Sequence, residues 1–401
     1  MAQATQVHPP DQWTNPAILR WGRRRMGLGI EEAGTLSGVD SERIAQYESG
    51  SAIPGLEALE NLAEVYRCPV GYFFLDSPPE LAFSLSMRGL RERKLEALHY
   101  DTHVRLEQFL SLTDLAARLV EVIGARREVN IGRVDPSEPI VDVATREREC
   151  LGITAEVRDR WNGPEAAFQH WKRAIEAKGV IVISLKLDPS DVRGASRWEH
   201  PSVPAILVNR EDAEAATGRA FTLLHEWAHL LTRSSGLVCD FEGHREGVHY
   251  EAFANALAAE MLVPQKDLLA LLRKLNLLEP RDTWSDYMLD KVRLPFGASR
   301  HVVALLLEQL DLVPKGFYAS KRAIWEQRQP YFRATTVRRT GHTKRQRRLT
   351  ALGAPLISLL SQAHENGAMS KLDLAEVLDM KVEQVEDFGS WVRDEWRRQG
   401  D

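Results

Sequence analysis

The stretch Phe221-Thr-Leu-Leu-His-Glu-Trp-Ala-His-Leu-Leu231 contains the signature His-Glu-x-x-His at residues 225–229. Its flanks are apolar, so the stretch predicts a buried helix. On a helix, residues four apart lie on one face, about 6 Å apart along the axis. His225 and His229 can therefore bind one metal ion. Glu226 is predicted to lie close to the metal without being a ligand, as a general base that activates water there.

A second stretch supplies the third ligand, Tyr250-Glu-Ala-Phe-Ala-Asn-Ala-Leu-Ala-Ala-Glu-Met-Leu-Val-Pro264. It is rich in alanine and lacks glycine and proline until its end, which predicts another buried helix. A buried carboxylate is costly unless it is paired or bound to a metal, so Glu251 is the favoured third ligand. Asn255, one turn later, is predicted to hydrogen-bond a ligating histidine. Two histidines and one glutamate leave a fourth position open, as a catalytic zinc site requires.

Some alternatives remain in the glycine-rich segment between these two helices. His244 and His249 are rival third ligands, although both could be exposed loop residues. His244, His249 and Tyr250 are also candidates for stabilising an oxyanion, whereas Cys239 has no evident paired base and is not favoured as a nucleophile. Zinc is the expected metal for two histidines and a carboxylate, and manganese or iron could use the same ligands.

At these residues the chain resembles the ImmA/IrrE metallopeptidases. The resemblance rests on His225-Glu-x-x-His229, followed by Glu251-x-x-Ala-Asn255 and Leu262-Val-Pro264, and covers roughly residues 180–264. It implies that His225, His229 and Glu251 bind the metal and that Glu226 is the catalytic acid. It also implies a cytoplasmic protein that cleaves a specific repressor or related regulator. Val263 departs from the family, which more often has methionine there.

Composition sets wider bounds on the protein. A chain of 401 residues predicts two or three domains. Its three cysteines are scattered, which predicts reduced thiols rather than a disulfide framework. No signal peptide and no run of about 18 apolar residues is evident, so we expect a cytoplasmic protein without a membrane span. The net charge of −5 provides no whole-chain argument for nucleic-acid binding.

The N-terminal region predicts several short helices. Asn15-Pro16 begins the first. Residues 30–39 indicate a helix and a tight turn, and Asp40 or Ser41 then caps a helix over residues 42–48, which together form a helix-turn-helix pattern. Glu32-Ala33 and Gln46-Tyr47-Glu48-x-Gly50 resemble the XRE, or lambda-repressor-like, family. The resemblance implies that the third helix enters the major groove. The residues that it would bring near the bases are Ser41, Glu42, Arg43 and Gln46.

The charge of this region favours an alternative. Acidic side chains outnumber basic ones over residues 1–76, although neutralising phosphates drives most DNA affinity. The arginines of the first helix are predicted to lie outside, where they could contact one DNA backbone strand. The alternative is a helix-turn-helix scaffold that binds a protein partner or forms a homodimer.

The whole pattern predicts an α+β, mostly α, protein. Strands are expected at residues 179–185, 192–198 and 204–209, and an edge of that sheet is a candidate for binding an extended substrate. We predict five parts: an XRE-like helix-turn-helix domain (13–79), a helical bracing region (80–178), a zincin-like peptidase core with a small sheet (179–313), a basic linker that could instead contact nucleic acid (314–350) and a small C-terminal helical domain for docking or dimerisation (351–401).

Two functions are compatible with these motifs. The first is a zinc endopeptidase that cleaves a specific regulatory protein, a repressor or an antitoxin-like one, and so controls transcription or a stress response. The second is a DNA-binding regulator whose peptidase-like domain senses a ligand or metal without cleaving anything. The complete set His225, Glu226, His229 and Glu251 favours the first, because a sensor does not need Glu226.

Overall fold

The computed structural model describes residues 14–79, 86–88, 98–188, 190–210, 216–234, 245–328 and 343–398. The chain divides into two compact units. Residues 1–83 and 89–108 form the first, and residues 84–88 and 109–401 form the second. The described residues are mostly helical with one small sheet, so the α+β class is confirmed. None of their helices combines the length and apolar character that crossing a bilayer requires.

The first unit is a small helical bundle. Its elements are the helices α1 (Pro16–Arg25), α2 (Ile30–Ser37), α3 (Ser41–Ser49) and α4 (Leu56–Val65), a 3-10 helix over Val70–Phe74, and the start of α5 (Tyr100–Ile123). Its core is apolar, and Ile18, Leu19 and Met26 are buried in it. Gly38 ends α2 with φ 69°, and the Asp40 side chain then accepts hydrogen bonds from the backbone N–H groups of Glu42 and Arg43. The predicted helix, turn and helix are therefore present.

The arginines of α1 do not all lie outside. Arg23 is buried and donates two hydrogen bonds of 2.7 Å to the Glu48 carboxylate on α3. Arg25 pairs with Glu107, and only Arg24 of these three consecutive arginines is exposed. Sequence reasoning assigned all of them to the surface, which is wrong for Arg23. Buried arginines need carboxylate partners, and that partner lies 25 positions away in the chain.

The second unit contains a sheet with helices packed around it. Its first eight helices after α5 are α6 (Ile140–Cys150), α7 (Ala155–Asp159), α8 (Pro164–Glu176), α9 (Ala216–Thr232), α10 (Arg245–Leu262), α11 (Gln265–Lys274), α12 (Asp286–Arg293) and α13 (Arg300–Gln309) in the described residues. Those nearer the C-terminus are α14 (Phe317–Arg328), α15 (Lys344–Leu352), α16 (Ala354–Glu365), α17 (Lys371–Val377) and α18 (Phe388–Arg398). A single apolar core joins the sheet to α8, α9, α10 and α13.

The sheet has four strands in the described residues, in the order β1-β3-β4-β2. They are β1 (Ser86–Arg88), β2 (Ile181–Leu185), β3 (Gly194–Arg197) and β4 (Ala205–Asn209). Strand β2 is parallel to β4, β3 is antiparallel to β4, and β1 is antiparallel to β3. Strands β2, β3 and β4 lie in the three segments expected to be strands, so all three are confirmed. Both faces of β2 and β4 are buried.

Other parts differ from the expected organisation. Strand β1 falls inside the region predicted to be helical. Helix α14 and most of α15 fall inside the predicted basic linker. The expected boundary at residue 351 lies within α15, which packs against β2. Residues 1–13 and residues 329–342 of the basic stretch lie outside the described residues.

Candidate metal centre

Helix α9 carries the signature with one face turned to the candidate site and the other into the core. Leu223, Leu224 and Ala228 are completely buried. Trp227 donates a hydrogen bond from Nε1 to the Glu147 carboxylate on α6, at 3.2 Å, and burial raises the pKa of that carboxyl group. This packing fixes the rotation of α9 about its axis. His225 and His229 are consequently held on the opposite side.

Three side chains from two helices converge. His225 Nε2 lies 3.1 Å from His229 Nε2. Glu251 on α10 places Oε1 3.1 Å from His229 Nε2 and Oε2 3.6 Å from His225 Nε2. All three residues are buried, and their candidate ligand atoms lie within 4.8 Å of one another.

These separations suit a single small cation. Ligand bonds of about 2.05 Å in tetrahedral geometry place neighbouring ligand atoms about 3.3 Å apart. The observed separations of 3.1, 3.1 and 3.6 Å bracket that value. Two imidazole nitrogens and one carboxylate are also the donors that zinc accepts in catalytic sites. The residues present therefore fit a zinc ion, and His225, His229 and Glu251 would hold it.

His229 is oriented by a residue that sequence reasoning missed. Ser234 Oγ lies 2.8 Å from His229 Nδ1 and also 2.8 Å from Thr232 Oγ1. If His229 donates its Nδ1–H to Ser234, its Nε2 lone pair faces Glu251 and His225. Ser234 reaches this position because Arg233 turns the chain with φ 56°, and the Ser234 N–H bonds back to the His229 carbonyl.

The other predicted residues lie as follows. Asn255 is half-buried on α10, and within the described part of the chain it makes no hydrogen bond to either histidine. His249 is exposed and contacts Tyr250, so it is not part of the three-residue cluster. His244 and Cys239 lie outside the described residues. Glu260, the second carboxylate of α10, accepts a hydrogen bond from the Gln265 N–H and so caps α11.

Glu226 is completely buried on α9 and faces strand β3. A methyl group built on Gly194 of β3 would lie 3.1 Å from Glu226 Oε1 and 2.5 Å from Thr222 Cγ2. Only a residue without a side chain leaves room for the carboxylate here. Gly194 is a second site residue that the signature does not reveal, because it comes 32 residues earlier on another element.

The predicted DNA-contacting residues share one surface of α3. Glu42, Arg43 and Gln46 are exposed, and Ser41 is half-buried. The opposite surface of α3 holds Ile44, Tyr47 and Glu48, which are buried against the bundle. The structure thus leaves three of the four side chains accessible to a partner.

Comparison with known proteins identifies both domains. Residues 17–71 match the family model described as a helix-turn-helix domain. Residues 175–304 match the family model described as an IrrE N-terminal-like domain, Peptidase_M78. One chain therefore carries both matches. The resemblance to an ImmA/IrrE peptidase fused to an XRE-type helix-turn-helix domain is therefore confirmed.

Two curated proteins that match a short part of the chain are described as uncharacterized HTH-type transcriptional regulators, one from Sinorhizobium medicae (strain WSM419) and one from Rhizobium meliloti (strain 1021). Each is 32% identical over 60 residues, which is 15% of this chain and 43% of the relative. The chain thus matches less than half of the length of these relatives. No solved structure matches it.

Proposed function

We propose that the protein is a zinc-dependent endopeptidase that cleaves a specific regulatory protein, a repressor or an antitoxin-like one, and so controls transcription or a stress response. The observation that carries this proposal is the convergence of His225, His229 and Glu251, with Glu226 buried beside them. A structural ion pair would not need two imidazoles and the Glu251 carboxylate facing one point, with the Glu226 carboxylate beside them. The helix-turn-helix domain supports a regulatory role in the cytoplasm.

Glu226 performs the proton transfers in this proposal. A zinc ion at the three ligands would supply Lewis acidity to a peptide carbonyl and to water. Glu226 takes the proton from the attacking water and returns it to the departing amine nitrogen. Glu226 is completely buried, which keeps bulk water from competing for that carboxylate. Ser234 holds His229 in the orientation that binding requires.

Metal content and proteolysis test this function together. Inductively coupled plasma mass spectrometry on the purified protein should find about one zinc ion per chain, lost in His225→Ala and Glu251→Ala. The matched control is His249→Ala, which removes an exposed histidine from α10, the helix that carries Glu251. This variant should retain zinc. Glu226→Gln should keep the metal and lose hydrolysis of fluorescein-labelled casein. A wild-type chain that binds no added zinc, or a fully active Glu226→Gln variant, would reject the proposal.

A second candidate function is DNA binding by a regulator that does not cleave. It is favoured by the exposed surface of α3 and by the helix-turn-helix match. If α3 reads bases, Arg43→Ala should weaken binding of operator DNA by about 1–3 kcal/mol. The control is Arg105→Ala, which removes an exposed arginine from α5. Equal affinity of both variants in fluorescence anisotropy would favour a protein partner or homodimer contact instead.

A further inference from the structure

Strand β1 belongs to the second unit although the chain on both sides of it belongs to the first. Residues 84–88 join the second unit, while residues up to 83 and residues 89–108 join the first. The strand pairs Ser86 with Ser196, Met87 with Ala195 and Arg88 with Gly194. It therefore occupies the edge of the sheet that β3 would otherwise present.

The register of β3 and β4 shows which backbone groups can form hydrogen bonds between β1 and β3. The Asn209 N–H donates to the Arg193 carbonyl at 2.8 Å, so this pair is hydrogen-bonded between β4 and the residue before β3. Hydrogen-bonded pairs alternate along an antiparallel ladder. Gly194 and Ser196 consequently direct their N–H and C=O groups away from β4 and towards β1. On β1, the backbone N–H and C=O groups of Ser86 and Arg88 face β3, and the Met87 N–H faces outward.

The position paired with Arg88 is next to the proposed catalytic group. Gly194 has no side chain and so leaves room for Glu226. A methyl group built on it would lie 3.1 Å from Glu226 Oε1. Helix α9 also contacts β1 directly. An extended peptide that added to β3 would hydrogen-bond the same Gly194 backbone and would lie beside Glu226. The backbone at Arg88 already takes that place.

We propose that β1 is an internal substitute for substrate, which occupies the strand position on β3 and keeps extended peptides from it until β1 leaves. This inference rests on the proposed peptidase function. The ligand of that site is an extended peptide bound antiparallel to β3, and β1 regulates its access. The opposite edge of the sheet, at β2, is covered by α15 and does not offer an alternative.

The length of β1 suits a segment that exchanges with substrate. It has three paired residues, whereas β2 and β4 are paired over five. A peptide of four or five residues could form at least as many backbone hydrogen bonds with β3 as β1 does. Substrate and β1 then compete for the same backbone groups of β3, and a modest change in β1 should shift that competition.

The test uses the full-length, zinc-loaded protein. Arg88→Pro removes the N–H that faces Gly194, whereas Arg88→Ala loses the same side chain and keeps that N–H. Met87→Pro removes the N–H that faces outward, a position where edge strands tolerate proline. We expect Arg88→Pro to hydrolyse fluorescein-labelled casein about fivefold faster than wild type, the change in equilibrium expected for one lost backbone hydrogen bond. Arg88→Ala and Met87→Pro should stay within about twofold of wild type.

A binding measurement separates this inference from the proposed activity. A fluorescein-labelled peptide of residues 83–89 is titrated into each variant in the Glu226→Gln background and followed by anisotropy. We expect about fivefold tighter binding to the Arg88→Pro protein than to the Arg88→Ala protein, with a scrambled peptide showing no difference. Tighter binding without casein hydrolysis in any variant would reject the peptidase function and retain β1 as the occupant of the strand site.

Equal binding and equal hydrolysis in Arg88→Pro and Arg88→Ala would overturn the inference. The same increase in Met87→Pro would also overturn it, because general loosening of the segment would then explain the result. Circular dichroism checks that each variant folds. If Arg88→Pro does not fold, Ser86→Pro removes the other inward-facing N–H and carries the same expectation.

Discussion

Replacing Gly194 by alanine should disable proteolysis while leaving the metal bound. The added methyl would lie 2.5 Å from Thr222 Cγ2 and 3.1 Å from both Glu226 Oε1 and the Leu207 carbonyl oxygen. Carbon atoms in contact need about 3.5 Å, so either β3 or helix α9 must shift by about 1 Å. Overpacking of this size costs about 1–3 kcal/mol of folding stability. A displacement of about 1 Å in a catalytic group lowers the rate by about 100-fold.

The assay compares kcat for labelled casein, zinc content and the melting temperature of Gly194→Ala with those of wild type. Gly132→Ala is the matched control, because its methyl group would lie 3.8 Å from Glu147 Oε1, which is an ordinary contact. We expect kcat to fall about 100-fold in Gly194→Ala, with zinc retained, and to stay unchanged in Gly132→Ala. Wild-type kcat in Gly194→Ala would refute the assignment of Glu226 to the β3 side of the site. Loss of zinc together with activity would refute the expectation that Gly194→Ala displaces Glu226 and leaves the metal ligands in place.

Three further predictions concern other parts of the chain. Ser234→Ala removes the hydrogen bond to His229 Nδ1 and should weaken zinc affinity about 10–100-fold in a chelator competition, whereas Ser234→Thr keeps a hydroxyl and should recover part of it. Glu48→Gln leaves the buried Arg23 without a charged partner and should lower the free energy of unfolding by about 3–5 kcal/mol in urea titrations, while Arg24→Ala, at an exposed position of the same helix, should change it little. Burial raises the pKa of Glu176 from 4.5 to about 7, so the folded chain binds this proton more tightly than the unfolded chain does. The contribution of Glu176 to stability should be full below pH 4.5 and decline as pH rises to about 7. Glu176→Gln should flatten that decline in unfolding free energy, and an unchanged slope between pH 5 and 7 would contradict the assignment.

The candidate ligands could be predicted from sequence because helical geometry is regular. His225 and His229 are one turn apart on an apolar helix, and Glu251 is a carboxylate on another apolar helix. Convergence of the three at 3.1–3.6 Å follows from packing α10 against α9. Strands β2 and β4 were predictable for a similar reason, since continuous apolar runs mark strands buried on both faces.

The groups that support the site could not be predicted in this way. Ser234 reaches His229 because an arginine, rather than a glycine, adopts the left-handed conformation at the end of α9. Gly194 matters because of its distance from Glu226, which no local pattern encodes. Arg23 is buried because of Glu48, a pairing that is decided by how α1 packs on α3. Strand β1 has too few residues for any periodicity to appear.

Covering of the β2 edge by the C-terminal helices has a consequence for solubility. Gly353, with φ 76°, lies so close to β2 that a methyl group on it would be 2.9 Å from the Val182 carbonyl oxygen, and Lys172 Nζ donates to the Thr350 carbonyl nearby at 2.8 Å. An uncovered, fully apolar strand is a template for pairing between chains and for aggregation. A chain cut before residue 343 would expose β2, a run of Ile-Val-Ile-Ser-Leu, to other copies. The C-terminal helices would then be needed to keep the peptidase domain monodisperse, even if they take no part in its chemistry.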